Sequence, residues 1–513
     1  MLSRRSFSKT VLAAPAILRG QSGQLHARVK IDTERTIGDI DPKLYGNFIE
    51  HLGRCIEGGV FDEKSPLADA NGYRRDVLDA AKKLDVTVLR WPGGTFSSNY
   101  HWLDGIGPRD RRPPRLEMAW GTVESNRFGT HEFLNYAEMV GAEPYICANL
   151  GTGTWDEVQQ WVEYCNSAED TAMTRLRKQN GRRDPWKVTY WGLGNEMDGP
   201  WQMGHRTADD YGKFALEAAK LMKLTDPNVK LIAAGSSNFG NGIDWTGWNR
   251  TVLEYLKNQA DYLSIHMYVG NPQNDFGDFL ASSMELSTRI KTVEGIIDTA
   301  MSNVRNRKIY IAWDEWNVWY RARGNEERGR RILEEHYNLE DALVVATFLN
   351  AFVNHAHIVK MANMAQLVNV IAPIFTNEKG LYLQTIYYPL QLFAMNARGK
   401  ALELFVDSPK YKSRRFDDIP YLDISASFDK GTLVMNAVNR HPDQTLEVEF
   451  ELEDKTFGGP VEAVEVNGPD IKSENTFDGS AVKPAMRSAT AEGKKLRYSF
   501  APHSYTQLVA RLV

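Results

Sequence analysis

The feature that most constrains this chain is a repeating pattern of elements. Between residues 44 and 366, eight short apolar runs alternate with helix-like segments or long crossovers. The runs occupy residues 44–51, 86–91, 144–150, 187–196, 229–235, 262–268, 308–315 and 359–366. Amphipathic periodicity lies between them, for example over residues 73–84, 131–140, 155–166, 211–224 and 339–355. Such alternation implies parallel strands joined by right-handed crossovers. Eight in succession predict a (β/α)8 barrel. A doubly wound sheet is the alternative, but the Gly-rich phosphate turns GxGxxG and GxxxxGK[ST] are absent. The runs also close on Glu50, Arg90, Asn149, Glu196, His266, Tyr268, Glu315 and Gln366. In a barrel these ends converge on one face, whereas in an open sheet they would lie along an edge.

The pattern changes near residue 400. Short alternating segments at residues 421–428, 432–439, 445–452, 459–466 and 495–512 are separated by Gly, Pro, Asp and Asn. This reads as an antiparallel β-sandwich. A length of 513 residues requires more than one simple core. The predicted division is a leader over residues 1–26, a strand over 27–38 that joins the C-terminal sandwich, the barrel over 39–398 and the sandwich over 399–513. The polar, Pro- and Arg-rich stretch 97–121 is long for a loop in a compact domain, and such loops usually carry function.

The leader reading rests on Ser3-Arg4-Arg5-Ser6-Phe7-Ser8-Lys9, followed by a short apolar run to Leu18. A basic segment, a brief apolar segment and small residues describe a signal peptide, and the paired arginines resemble the twin-arginine type. Export to the periplasm or outside the cell is therefore expected. The apolar run is too short to span a membrane. The net charge of −5 offers nothing to nucleic acid or an anionic membrane. Cys55, Cys147 and Cys165 show neither CxxC nor zinc-ligand spacing and read as buried thiols.

The chemistry is suggested by two runs of the same form. Tyr190-Trp191-Gly192-Leu193-Gly194-Asn195-Glu196 and Ile309-Tyr310-Ile311-Ala312-Trp313-Asp314-Glu315 are aromatic, apolar strands that each deliver a carboxylate. They are the fourth and seventh of the eight, and so face each other across a barrel. Glycoside hydrolysis needs such a pair, one carboxyl as proton donor and the other as nucleophile or base. Asn195 places an amide beside Glu196, and Tyr268 and Arg90 are donors that can keep Glu315 ionised. The donor proton requires a raised pKa at Glu196. A metal held by His266, Glu196 and Glu315 is conceivable, but no HExxH or close His pair supports it.

Several segments together resemble the α-L-arabinofuranosidases of glycoside hydrolase family 51. They are Tyr45 to Arg54, Leu89-Arg90-Trp91-Pro92-Gly93-Gly94, Asn149-Leu150-Gly151-Thr152-Gly153-Thr154, Gly194-Asn195-Glu196-Met197-Asp198-Gly199-Pro200-Trp201-Gln202-Met203-Gly204-His205, Asp314-Glu315-Trp316-Asn317 and Ala362 to Ile374. They run in order through the predicted barrel. The resemblance implies a retaining mechanism, with Glu196 as acid/base and Glu315 as nucleophile. It implies that Glu50, Arg90, Asn195, Tyr268, Trp319 and Gln366 shape the sugar subsite, with His266 beside the pair. It also implies a C-terminal β-sandwich, no metal or cofactor, and frequent homo-oligomerisation. The expected activity is exo-acting release of terminal arabinofuranosyl residues from arabinoxylan, arabinan or their oligosaccharides. Thr95 departs from the pattern, because an Asn usually follows Pro-Gly-Gly; His131 also stands where an acidic residue is expected. An endoglucanase or xylosidase on the same barrel, and a carbohydrate-binding protein without catalysis, are the alternatives.

Overall fold

The computed structural model describes residues 25–322 and 332–513. The proposed leader lies outside these residues, except for its last two positions. Eight parallel strands close into a barrel. In chain order they are Gly46–Phe48, Val88–Trp91, Glu143–Ala148, Tyr190–Leu193, Lys230–Ala234, Tyr262–Val269, Tyr310–Val318 and Val359–Ala365. The last pairs with the first through Asn363 and Gly46, which completes the ring. Val88, Tyr145, Ile232, Tyr262, Ala312 and Met361 point inward and fill the lower barrel with a buried plug. The larger core lies between the strands and the surrounding helices.

The sequence explains much of this locally. Helix Thr130–Val140 stops at Gly141, which takes the left-handed conformation at φ 87°. Helix Trp155–Asn166 starts on Thr154, whose side chain accepts from the Glu157 amide. Helix Leu339–Asn354 is buried on all sides because the barrel covers one face and the sandwich the other. Its polar groups are consumed at that boundary. Asn350 donates to Asp423 at 2.6 Å and accepts from Ser425 at 2.6 Å.

The second domain is a ten-stranded sheet folded around its own core of Val29, Ile31, Leu402, Met435, Phe450 and Leu508. Strand Leu25–Asp39 sits within it, antiparallel to Lys400–Asp407 and parallel to Leu446–Leu452. Leu25 and His26 already pair with Leu446 and Glu447, so this strand begins two residues inside the segment assigned to the leader. The single strand expected over 495–512 is two, Lys495–Phe500 and Ser504–Arg511, on different neighbours. Pro502 has no amide hydrogen to donate and His503 is left-handed at φ 41°, so the chain turns there. Strands Lys400–Asp407 and Lys483–Ala489 and helix Tyr387–Asn396 were not foreseen. Among the described residues, no helix is long and apolar enough to cross a membrane.

Candidate active site

A cleft of about 560 Å³ opens at the C-terminal ends of the barrel strands. Glu50, Glu196, His266, Tyr268, Glu315, Trp319 and Gln366 line it, together with Thr95, Trp120, Trp201, Phe239 and Arg289. Arg90 and Asn195 lie just beneath, almost wholly buried, and reach the cleft through their partners.

Glu315 sits inside the seventh strand, at an irregularity of pairing between Ala312 and Glu315. Each of its oxygens is held by a donor from another strand. Arg90 Nη1 donates to Oε2 at 2.9 Å, and the Tyr268 hydroxyl donates to Oε1 at 2.7 Å. Arg90 is itself fixed, since its second terminal nitrogen donates to Asn195 Oδ1 and its first also reaches the Asp314 carbonyl at 3.1 Å. Its guanidinium lies over Phe48, 4.7 Å from the ring centroid. Gly94 passes between Glu50 and Glu315: a Cβ on it would stand 3.2 Å and 3.4 Å from their carboxylate oxygens. Glycine there lets the main chain line the cleft closely.

Glu196 is placed differently. The fourth strand ends at Leu193, so this residue belongs to the following turn and is left-handed at φ 47°. A non-glycine residue there carries strain of roughly 1–2 kcal/mol. The turn is clamped from outside. Asp198 accepts from the Ser237 amide at 2.8 Å and the Asn238 amide at 2.9 Å, and the Gly199 amide donates to the Glu196 carbonyl at 2.8 Å. His266 Nδ1 lies 2.9 Å from Glu196 Oε1, and Trp201 Nε1 donates to Oε2 at 2.6 Å. Burial raises the Glu196 pKa, the charge of Glu315 adds to that rise, and the two donors oppose it.

Behind the pair lies a charged relay. His266 Nδ1 is also 3.5 Å from Glu315 Oε2, while Nε2 faces Asp314 at 3.4 Å and Ser264 at 3.1 Å. Burial alone would keep the imidazole neutral. Glu315, Asp314 and Glu196 overcome it and carry the pKa up to about 10. Burial likewise raises Asp314, but Arg90 foremost, then His266 and Ser264, bring it down to about 2. On the opposite wall, Glu50 accepts from the Phe96 amide at 3.0 Å, Trp120 at 3.2 Å and Gln366 at 3.1 Å. Burial takes Glu50 up to about 8, opposed by the Phe96 amide and assisted by Glu315.

Glu196, His266 and Glu315 each offer a donor atom, and the three atoms lie within 4.8 Å of one another. That spacing could hold an ion, but the donors are already engaged. The carboxylates accept from Tyr268, Arg90, Trp201 and His266, and the adjacent guanidinium and raised imidazole supply positive charge where a cation would sit. The donor chemistry fits an acid/base pair better than a metal centre.

Family models for the α-L-arabinofuranosidase 1 domain and the α-L-arabinofuranosidase C-terminal domain match residues 80–283 and 314–504. An intracellular exo-α-(1→5)-L-arabinofuranosidase of Bacillus subtilis is 41% identical over 490 residues, 93% of this chain and 98% of that protein. This chain belongs to the α-L-arabinofuranosidase family, and it is a glycoside hydrolase. The arabinofuranosidase fold also superposes on solved relatives. A Thermotoga maritima α-L-arabinofuranosidase in complex with arabinose matches with a TM-score of 0.87 at 37% identity, covering 94% of this chain and all of that one. A family 51 enzyme from Bifidobacterium longum matches with a TM-score of 0.90 at 33% identity, covering 94% and 99%.

Several site residues of this arabinofuranosidase escaped the sequence reading. Trp120 comes from a short hairpin, Arg115–Glu117 with Thr122–Glu124, inside the long loop 97–121 and beyond. Its length and composition marked the loop but not the residue. In the sequence Asp314 is only the neighbour of Glu315, yet in the fold it anchors Arg90, His266, Ser264 and Tyr145. Asn149 closes its strand as read from the sequence, but it does not line the cleft. Its Oδ1 accepts from the amides of Gly151, Thr152 and Gly153 and organises its own turn.

Proposed function

We propose that this arabinofuranosidase removes terminal α-L-arabinofuranosyl residues from the non-reducing ends of arabinoxylan, arabinan or derived oligosaccharides by double displacement. The observation that carries the reading is the Glu196–Glu315 pair, with carboxylate oxygens within 4.8 Å across His266. Retaining glycosidases hold their two carboxyls about 5–5.5 Å apart, whereas inverting enzymes leave room for a water at about 6.5–9.5 Å.

In the first step a Glu315 oxygen attacks the anomeric carbon while Glu196 gives its proton to the departing glycosidic oxygen. The C–O bond breaks, and the sugar stays esterified to Glu315. In the second step Glu196 takes a proton from water, the water oxygen attacks the same carbon, and Glu315 leaves as a carboxylate. Arg90 and Tyr268 stabilise that carboxylate in both steps. Asn195 Nδ2 is buried without a partner, and Gln366 and Glu50 stand on the far wall. These groups suit the hydroxyls of a pentose. Trp319, edge-on to Tyr268 at 5.2 Å, closes the side. Similarity to relatives named exo-α-(1→5)-L-arabinofuranosidases supports exo action over an endo-acting alternative.

The test is release of arabinose from an aryl arabinofuranoside. Glu315→Ala should retain less than about a hundredth of wild-type turnover. Azide should restore turnover of Glu196→Ala on an activated aryl substrate and give an azide of the same α configuration as the substrate, because it replaces water in the second displacement. More residual activity in the first variant, or no rescue in the second, removes the assignment concerned. Product analysis on polysaccharide separates monomeric arabinose from the oligosaccharides of an endo enzyme.

The basic, twin-arginine-like start also supports export, although the B. subtilis relative is named intracellular. Fractionation of cells expressing the full chain and an Arg4→Lys, Arg5→Lys variant tests it. Assembly as a homo-oligomer remains part of the proposal and is tested by light scattering.

A further inference from the structure

We propose a second carbohydrate-binding site, separate from the catalytic cleft, that holds the polysaccharide main chain while a branch is cleaved. It is a pocket of about 690 Å³ lined by Trp155, His205, Arg206, Phe214 and neighbouring polar residues. The proposal rests on the glycosidase reading above.

Its place in the fold comes first. Trp155 opens helix Trp155–Asn166, and Thr207 caps helix Ala208–Thr225. Both helices follow barrel strands, so their N-termini lie on the catalytic face. The loop between Glu196 and Thr207 joins the two sites. Trp201 in its middle lines the catalytic cleft, and His205 and Arg206 at its end line the pocket. The loop closes on itself at its base, where the Arg206 amide donates to the Met197 carbonyl at 3.2 Å and His205 Nδ1 lies 3.1 Å from the same oxygen. The pocket is thus one loop away from the catalytic carboxyl.

Its chemistry comes second. Trp155 is 41% exposed, yet it is held in place. Its Nε1 donates to the Phe214 carbonyl at 3.1 Å, and the two rings lie 5.4 Å apart at 34°. Arg206 covers Phe214 from 4.4 Å. The result is a preorganised aromatic platform whose free face costs solvent exposure. Around it, Arg206 and Lys213 are offset by Asp210 and Glu217, so the lining carries no net charge. That balance disfavours an ionic ligand. A neutral sugar chain fits, with C–H faces stacking on the indole and hydroxyls meeting the polar rim.

Two measurements test this. The first compares kcat/KM on arabinoxylan or arabinan with kcat/KM on an aryl arabinofuranoside. Trp155→Ala should lower the polymer value about fivefold and leave the aryl value unchanged, and Trp155→Phe should restore most of the loss. Equal changes on both substrates, or none on either, overturn the proposal. The second uses the folded Glu315→Ala enzyme in gels containing linear xylan or debranched arabinan, with arabinose saturating the catalytic pocket. Retardation by one of the polymers supports the site, and migration unchanged by both overturns it. Absence of aryl arabinofuranoside hydrolysis by the wild-type enzyme would defeat the glycosidase reading instead, and the gel result would still stand on its own.

Discussion

Glu196 and Glu315 are the same residue type, at corresponding ends of two barrel strands, in one cleft, and the protein treats them in opposite ways. Glu315 lies within a strand and receives a phenol from the adjacent strand and a guanidinium from the second strand of the barrel. Glu196 lies past the end of its strand in a left-handed turn and receives an imidazole and a half-exposed indole. The first environment holds both carboxylate oxygens on strong donors and so orients the group for attack. In the second, burial and the neighbouring charge favour the acid form, and two donors restrain that preference. The lesson is that the division of labour comes from the donors each strand end presents, and not from the carboxylates.

The strongest way to break the contrast is to remove a donor that serves Glu315 and not Glu196. Arg90→Met should leave Glu315 and Asp314 buried together without the guanidinium. A loss of roughly 10³-fold or more in kcat/KM is expected. Stability should fall by ~3–5 kcal/mol as well, because buried charge pairs lose one partner and His266 alone faces both carboxylates. Thermal unfolding beside kinetics checks this, and a stable, active Arg90→Met enzyme would refute the account of Glu315.

Tyr268→Phe is the milder form of the same experiment. It deletes one hydrogen bond to a charged group and keeps the ring that packs on Trp319. The expected loss is roughly 10- to 100-fold in kcat/KM with little change in melting temperature. An unchanged kcat/KM would mean that the 2.7 Å contact does not persist during turnover.

How much of this contrast is legible in the sequence depends on which neighbours carry it. The barrel was legible because each strand is an apolar run that ends abruptly, and the strand order placed Glu196 opposite Glu315. Arg90 and Tyr268 were legible as donors because they close strands of their own. Asp314 was not, because a buried aspartate one residue before a catalytic candidate looks like part of the same signal. Trp120 and Trp201 were not, because each comes from a turn or hairpin that folds back over the cleft, and no periodicity announces such a return. Phe239 and Arg289, stacked with the guanidinium 3.8 Å from the ring centroid, were invisible for the same reason. In the sandwich, the break at Pro502 was written in the chain, but alternation continues on both sides of it and masked the turn.

Trp201→Phe sharpens the Glu196 half. It removes the indole hydrogen bond to Oε2 and retains an aromatic ring. That bond lowers the Glu196 pKa, so its loss raises the pKa further. A general acid works only while protonated, and kcat/KM falls as pH rises through its pKa. The alkaline limb of the kcat/KM profile should therefore move to higher pH in the variant. A shift to lower pH, or none, would show that Trp201 does not bond Glu196 in the working enzyme.

The smallest effect is expected from Thr95→Asn, and its direction still separates the two halves. Thr95 lines the cleft directly after Gly94, whose main chain passes between Glu50 and Glu315. An amide added here extends the polar wall on the Glu315 side and lies away from the Trp201–Glu196 bond. One neutral hydrogen bond to the sugar is worth about 1 kcal/mol, or roughly fivefold in kcat/KM. The gain should appear for an aryl arabinofuranoside and not for the corresponding xyloside, with the alkaline limb of the pH profile unmoved. If that limb moves, the two carboxylates are coupled through this rim, and the separation argued from their donors fails.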